Sequence, residues 1–141
     1  MKKELYRVEG KVVGHHHPEI NTIIDTWDSL LISLEEWKAT IFDIGIVDYA
    51  PKNGVIAWII DTSKSEGVFT PEVQKFREEV ARQTLADNGV RHLFVVHSES
   101  ALGKLAARRT SGLYKGTQMK AHNVASIDEA LAILREAGEI D

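Results

Sequence analysis

The sequence predicts a single-domain α/β fold spanning residues 1–141, a mixed, mainly parallel sheet of about five strands with four helices. Three observations predict it. Short apolar runs bounded by turn residues, such as Val55-Ile56-Ala57-Trp58-Ile59-Ile60 between Gly54 and Asp61, alternate with stretches of helical periodicity. Helix-start signals precede those stretches: Ser33 with Glu36, Ser126 with Glu129, and Thr70-Pro71. Finally, 141 residues with 43% hydrophobic and 27% charged composition suit one core, since folding at this length hides roughly two-thirds of the accessible surface.

The elements follow in order. Leu5 to Val13, interrupted by Gly10, reads as a first strand and Ile20 to Trp27 as a second, with a turn at His15-His16-His17-Pro18. After Ser33, the spacing of Leu34, Trp37, Ile41 and Ile44 predicts a helix to about Val47, followed by a turn at Pro51-Lys52-Asn53-Gly54. Val55 to Ile60 is the central strand. Thr70 caps a second helix that carries Val73, Phe76 and Val80 inward and stops at Asn88-Gly89. Val90 to Val96 is the next strand, Ser100 to about Thr110 a third helix, and a strand falls between Thr117 and Val124. Ile127, Ala130, Leu131 and Leu134 mark a closing helix ending at Gly138. This order implies a parallel sheet with one antiparallel edge.

Composition excludes several functions. Seventeen Lys and Arg against 21 Asp and Glu give a net charge of −4, which opposes non-specific nucleic-acid binding. With no cysteine, thiol catalysis, thiolate zinc sites and disulfides are absent. No run approaches a membrane span and no secretory leader is evident, so a cytoplasmic protein is the expectation. No Gly-rich phosphate loop occurs, and no cofactor is expected. Val95-Val96-His97-Ser98-Glu99-Ser100 is not a nucleophile elbow, and His92, His97 and His122 have no nucleophile at a recognised spacing. In His15-His16-His17 only His15 and His17 share a strand face, too few ligands for a closed metal site.

Charge is unevenly spread. Ala101 to Lys120 holds five basic residues, Lys104, Arg108, Arg109, Lys115 and Lys120, and no acidic one, whereas Asp25 to Asp48 holds six acidic residues against Lys38. A basic face of this kind suits an acidic protein or an anionic ligand.

The segment Ile59-Ile60-Asp61-Thr62-Ser63-Lys64-Ser65-Glu66-Gly67-Val68-Phe69-Thr70-Pro71-Glu72-Val73-Gln74 runs from a buried strand through Asp and a polar loop to a capped helix. With Gly89 to Val96 and the closing helix near Ser126, it resembles the SpoIIAA-like family, related to the STAS domains of sulfate transporters and anti-sigma-factor antagonists. The resemblance covers about Ile20 to Glu136. It implies a mixed sheet and a regulatory or ligand-sensing role. In antagonists of that type a serine at the start of the helix after the central strand is phosphorylated to control partner binding. The matching position here is Thr70, where the antagonists carry Ser-Gly and this chain has Thr70-Pro71-Glu72; Ser63 and Ser65 lie in the same loop.

The expected function is therefore a non-catalytic regulatory or protein-interaction module, with a carrier or sensor of a small, partly apolar anionic or lipid-like ligand as the alternative. Loops after adjacent parallel strands open at one sheet edge, which groups Asp61, Val68 and Phe69 with Ser98, Ser100, Arg108 and Arg109 as a binding surface. An interaction module predicts a closed surface without a cavity. A carrier predicts a pocket lined by Phe69 and Leu113 with a basic residue at its mouth. A homodimer through the Leu131 and Leu134 face is a further alternative.

Overall fold

A computed structural model describes residues 2–98, 101 and 119–141, with the backbone alone at 112–113. Among them, seven strands form one sheet: β1 (Lys3–Val8), β2 (Val12–His17), β3 (Thr22–Trp27), β4 (Ala57–Asp61), β5 (His92–Val96), β6 (Gly112–Leu113) and β7 (Lys120–Val124). The sheet order is β1-β2-β3-β4-β5-β7-β6. β3, β4, β5 and β7 are mutually parallel, while β1, β2 and β6 pair antiparallel at the two borders. The α/β class is as expected, and antiparallel pairing occupies both edges rather than one.

Two of the expected boundaries are corrected. What reads as a single first strand is a hairpin, because Gly10 at φ +75° turns the chain and Lys11 N–H bonds to the Val8 carbonyl. The histidine run is not a turn. It forms the second half of β2, paired with Ile24, Ile23 and Thr22, and the turn follows at 18–21 with Asn21 at φ 52°.

Three helical segments flank the sheet. α1 (34–53) and α2 (71–87) cover one face, where Trp27, Trp58, Ile60 and Leu93 meet Trp37, Ile41, Ile46, Val73 and Leu85. α3 (Ile127–Glu136) covers the other, against Ile24, Ala57, Ile59, Phe94 and Val96. Leu134 is fully buried there and Leu131 packs beside it, so that stripe is core. Ser33 and Glu36 form the expected reciprocal cap of α1, and Gly54, at φ 60°, closes it. Pro51-Lys52-Asn53 is the last helical turn rather than a loop. The third expected helix, Ser100 to about Thr110, lies outside the described residues except for helical Ala101.

The helix registers differ from a 3.6-residue reading. α1 buries Trp37, Ile41, Gly45 with Ile46, and Ala50. α2 buries Val73, Arg77, Ala81 and Leu85. Ile44 and Val80, expected inside, are exposed, and Phe76 is half-buried. A regular α-helix drifts by about 40° over each four-residue step. Both helices counter that drift by widening to five-residue hydrogen bonds, as from Ala50 N–H to the Gly45 carbonyl and from Arg82 N–H to the Arg77 carbonyl. The inward stripe thus steps by four or five residues.

Two glycines admit aromatic rings. Tyr6 pairs with Gly14, and Gly14 with Asp25, so these three residues form one row across β1, β2 and β3. A Cβ on Gly14 would overlap the Tyr6 ring, and one on Gly45 would lie 2.9 Å from Trp58. In an unobstructed strand interior, replacing glycine by alanine stabilises by roughly 0.5–1 kcal/mol. Here Gly14→Ala is expected to destabilise by roughly 1–3 kcal/mol through overpacking. Urea unfolding checks the sign, and a stabilised variant would show that the Tyr6 ring does not depend on this gap.

Candidate functional site

Parallel alignment of β3, β4, β5 and β7 brings residues 28–33, 62–70, 97–98 and 125–126 to one edge. The β4 and β5 exits are tied together, since Thr62 donates to the Val96 carbonyl from both its N–H and its hydroxyl. The β3 and β4 exits are stitched as well: Leu30 N–H bonds to the Glu66 carbonyl and Glu66 N–H to the Asp28 carbonyl. Asp61 accepts from the Ser63 N–H and hydroxyl, and the Ser65 hydroxyl donates to the Thr62 carbonyl. Both serines therefore brace the loop.

Thr70 caps α2 as expected, its hydroxyl oxygen accepting from Val73 N–H at 3.3 Å. It is half-buried and no segment covers it completely. Val68 and Phe69 part company. Val68 is 71% exposed, whereas Phe69 turns inward, edge-on to Trp27 at 5.0 Å between ring centroids and beneath the Arg77 guanidinium at 4.3 Å. The hydrophobic residue before the cap anchors the helix start. Leu31 is 58% exposed and its side chain lies against Gly67, next to Val68.

Of the remaining predicted surface residues, Ser98 accepts from Ala101 N–H. His97 turns its ring nitrogen to the Asn123 side-chain oxygen at 2.8 Å. Ser100, Arg108 and Arg109 lie outside the described residues, as does the side chain of Leu113.

A second assembly sits below this edge. Asp25 points from β3 into the layer shared with α1 and α2 and is 1% exposed. Its Oδ2 accepts from the Tyr6 hydroxyl and the Trp58 indole, each at 3.0 Å, and its Oδ1 from the Trp27 indole at 3.1 Å. Burial raises its pKa to about 6, although these donors and the charge of Arg77 pull the other way. Burial also holds Tyr6 well above the ordinary phenol range, so its hydroxyl keeps its proton. Arg77 is buried on α2, donates to the Gln74 side-chain oxygen at 3.0 Å, and is lowered to about 10 by desolvation and the neighbouring Arg82.

Asp25, Trp27, Trp58 and Arg77 line a cavity of about 30 Å³ together with Trp37, Ile41, Ile46, Ile60, Phe69, Arg82, Leu85 and Leu93. Sequence reasoning missed it. Asp25 counts there among six surface acids, and Arg77, although four residues after Val73 and so on the same helix face, is charged and reads as surface. The signal for Asp25 is present: at every second position, Ile23, Asp25 and Trp27 share one face of a strand whose neighbours are apolar.

At the opposite edge, His16 faces inward with its Nδ1 2.8 Å from the Tyr49 hydroxyl, while His15 and His17 face the other way. Farther along, the His92 ring lies 3.2 Å from His122 and 3.1 Å from Glu139, with Phe94 stacked on His122. Burial lowers both imidazoles. Among the described residues no group of three His, Asp or Glu side chains is arranged to hold a metal ion. No described helix is long and apolar enough to cross a membrane.

Comparison of the chain with protein-family models, curated proteins and solved structures finds no match.

The Asp25 environment has a definite pH signature. Its rise from 3.8 to about 6 costs roughly 3 kcal/mol at neutral pH, at about 1.4 kcal/mol per unit. The folded state binds a proton that the unfolded chain releases between these values, so this contribution strengthens folding as pH falls from about 6 to 4. His16, His92 and His122, all lowered by burial, act oppositely as pH falls below the ordinary imidazole value. They are common to wild type and Asp25→Asn. The difference in unfolding free energy between these two proteins is therefore expected to move toward wild type as pH drops from 6 to 4, and a flat difference would contradict the assignment.

Proposed function

We propose that the protein is a non-catalytic interaction module that docks a protein partner on the edge where β3, β4 and β5 end. One observation carries this reading: Leu31 and Val68, the two most exposed large hydrophobic residues described, stand on loops fastened to each other by backbone hydrogen bonds, with the Leu31 side chain against Gly67, the residue before Val68. Exposed apolar side chains scattered singly mean little. Two on one braced platform form the apolar centre of a contact, and the polar groups of the same loop, Asp61, Ser63, Ser65 and Thr70, form its rim.

The resemblance to STAS antagonists points the same way, because their regulatory residue falls at the position of Thr70. A phosphate on Thr70 would sit at the positive end of α2, beside Val68. It would also face Glu72 in the first turn. Binding rather than turnover agrees with the hydrogen bonding of Ser63, Ser65 and Ser98, each of which braces a loop or a helix start.

Substituting both apolar residues tests the proposal. Leu31→Asp with Val68→Asp is expected to change stability by no more than about 0.5 kcal/mol, as exposed positions do. Tagged wild-type protein, returned to its source cells and cross-linked, should carry a partner in near-stoichiometric amount that the double variant loses. A set of cross-linked proteins indifferent to both substitutions would overturn the docking face.

A further inference from the structure

The cavity beneath the docking edge has more donors than acceptors. Its hydrogen-bonding side chains are three indoles, two guanidinium groups and one carboxylate. Asp25, the single acceptor, already takes three donors on its two oxygens. Trp27 and Trp58 are spent on it. The Trp37 indole N–H is buried with no partner among the described residues, and a buried donor left without an acceptor is costly. Arg77 lies over Phe69 and donates to Gln74 from one of its nitrogens, leaving the rest of its fork for another acceptor. With Asp25 as its one acceptor side chain and the buried Arg77 guanidinium among its donors, the cavity is short of lone pairs.

Size narrows the occupant. A volume of about 30 Å³ is the space of one or two water molecules, which suits a carboxylate group and excludes a molecule of drug size. We propose that this cavity is a binding site for a compact monocarboxylate of the size of formate or acetate. The Trp37 indole N–H and the Arg77 guanidinium serve as its donors, and the aromatic and aliphatic walls enclose its carbon end. The site is separate from the docking face, and its failure would leave that face untouched.

All three tryptophans of the chain line the cavity, so their indole N–H proton resonances report on it directly. Sodium formate and sodium acetate are titrated against sodium chloride of equal ionic strength at pH 7.5, with calorimetry in parallel. One indole resonance should shift saturably with the carboxylates and not with chloride, and it should be the one absent from Trp37→Phe. That variant keeps an aromatic side chain, smaller than the indole, and removes the donor, and it should bind about tenfold more weakly, the scale of one hydrogen bond to a charged group. Arg77→Lys, which keeps the charge but loses the fork, should weaken binding at least as much. Indole shifts no larger than in chloride would mean that the cavity holds water only. Unchanged affinity in Trp37→Phe would place the anion elsewhere. Either result overturns the proposal, and Trp37→Phe decides it even where Arg77→Lys fails to fold.

Discussion

A carboxylate placed within an aromatic layer must be given hydrogen bonds or be expelled, and supplying those of Asp25 sets the geometry around it. The three donors come from three strands, β1, β3 and β4. For Tyr6 to reach across from β1, the intervening strand must carry no side chain, and Gly14 stands there. For the rings of Tyr6 and Trp58 to fit beneath α1, the helix must also lack one, and Gly45 stands there. Trp27, turned toward Asp25, meets Phe69, and Phe69 carries Arg77. A single buried acid thus links the hairpin edge, the central strands and both covering helices.

This arrangement does not maximise stability. Holding an ionisable carboxyl group away from water raises its pKa because the charged form is penalised, and Arg77 is penalised in the opposite direction. The two do not form a direct ion pair; three neutral donors stand at the carboxylate instead. Buried ionic groups are often matched or bettered by apolar residues of similar size. What the arrangement provides is directionality: donors held at fixed positions in a low-dielectric cavity, which is the property a small-anion site needs.

The elements that were legible in the sequence are those with local chemistry. The caps at Ser33, Thr70 and Ser126 each form the hydrogen bond their sequence spacing demands. The apolar runs of β4 and β5 are strands buried on both faces. What was not legible depends on partners distant in the chain. His15-His16-His17 looks like turn material, and pairing with β3 makes it strand. Asp25 looks like surface until Tyr6 and Trp58, 19 and 33 residues away, are placed beside it. Arg77 lies four residues after Val73 on the same face of α2, so the helical period places it inward, and only its charge makes it look like a surface residue. The basic run at Lys104, Arg108 and Arg109 lies outside the described residues.

The docking edge and the cavity meet at one residue. Val68 presents its side chain outward while its neighbour Phe69 forms a wall of the cavity and the surface on which Arg77 rests. A contact at Val68 and an anion at Arg77 therefore act on the same short segment, between the loop stitched at Glu66 and the cap at Thr70. Adjacency alone is not coupling; coupling requires that the shared segment adopt two arrangements with different affinities for the two occupants. Phe69 is the residue of that segment that faces the cavity. The loop on its amino side is held by backbone hydrogen bonds and the helix on its carboxyl side by its cap, while the ring itself is held by packing, against Trp27, the face of Arg77 and the apolar layer around them. If the two sites influence each other, the position of that ring is where the influence passes.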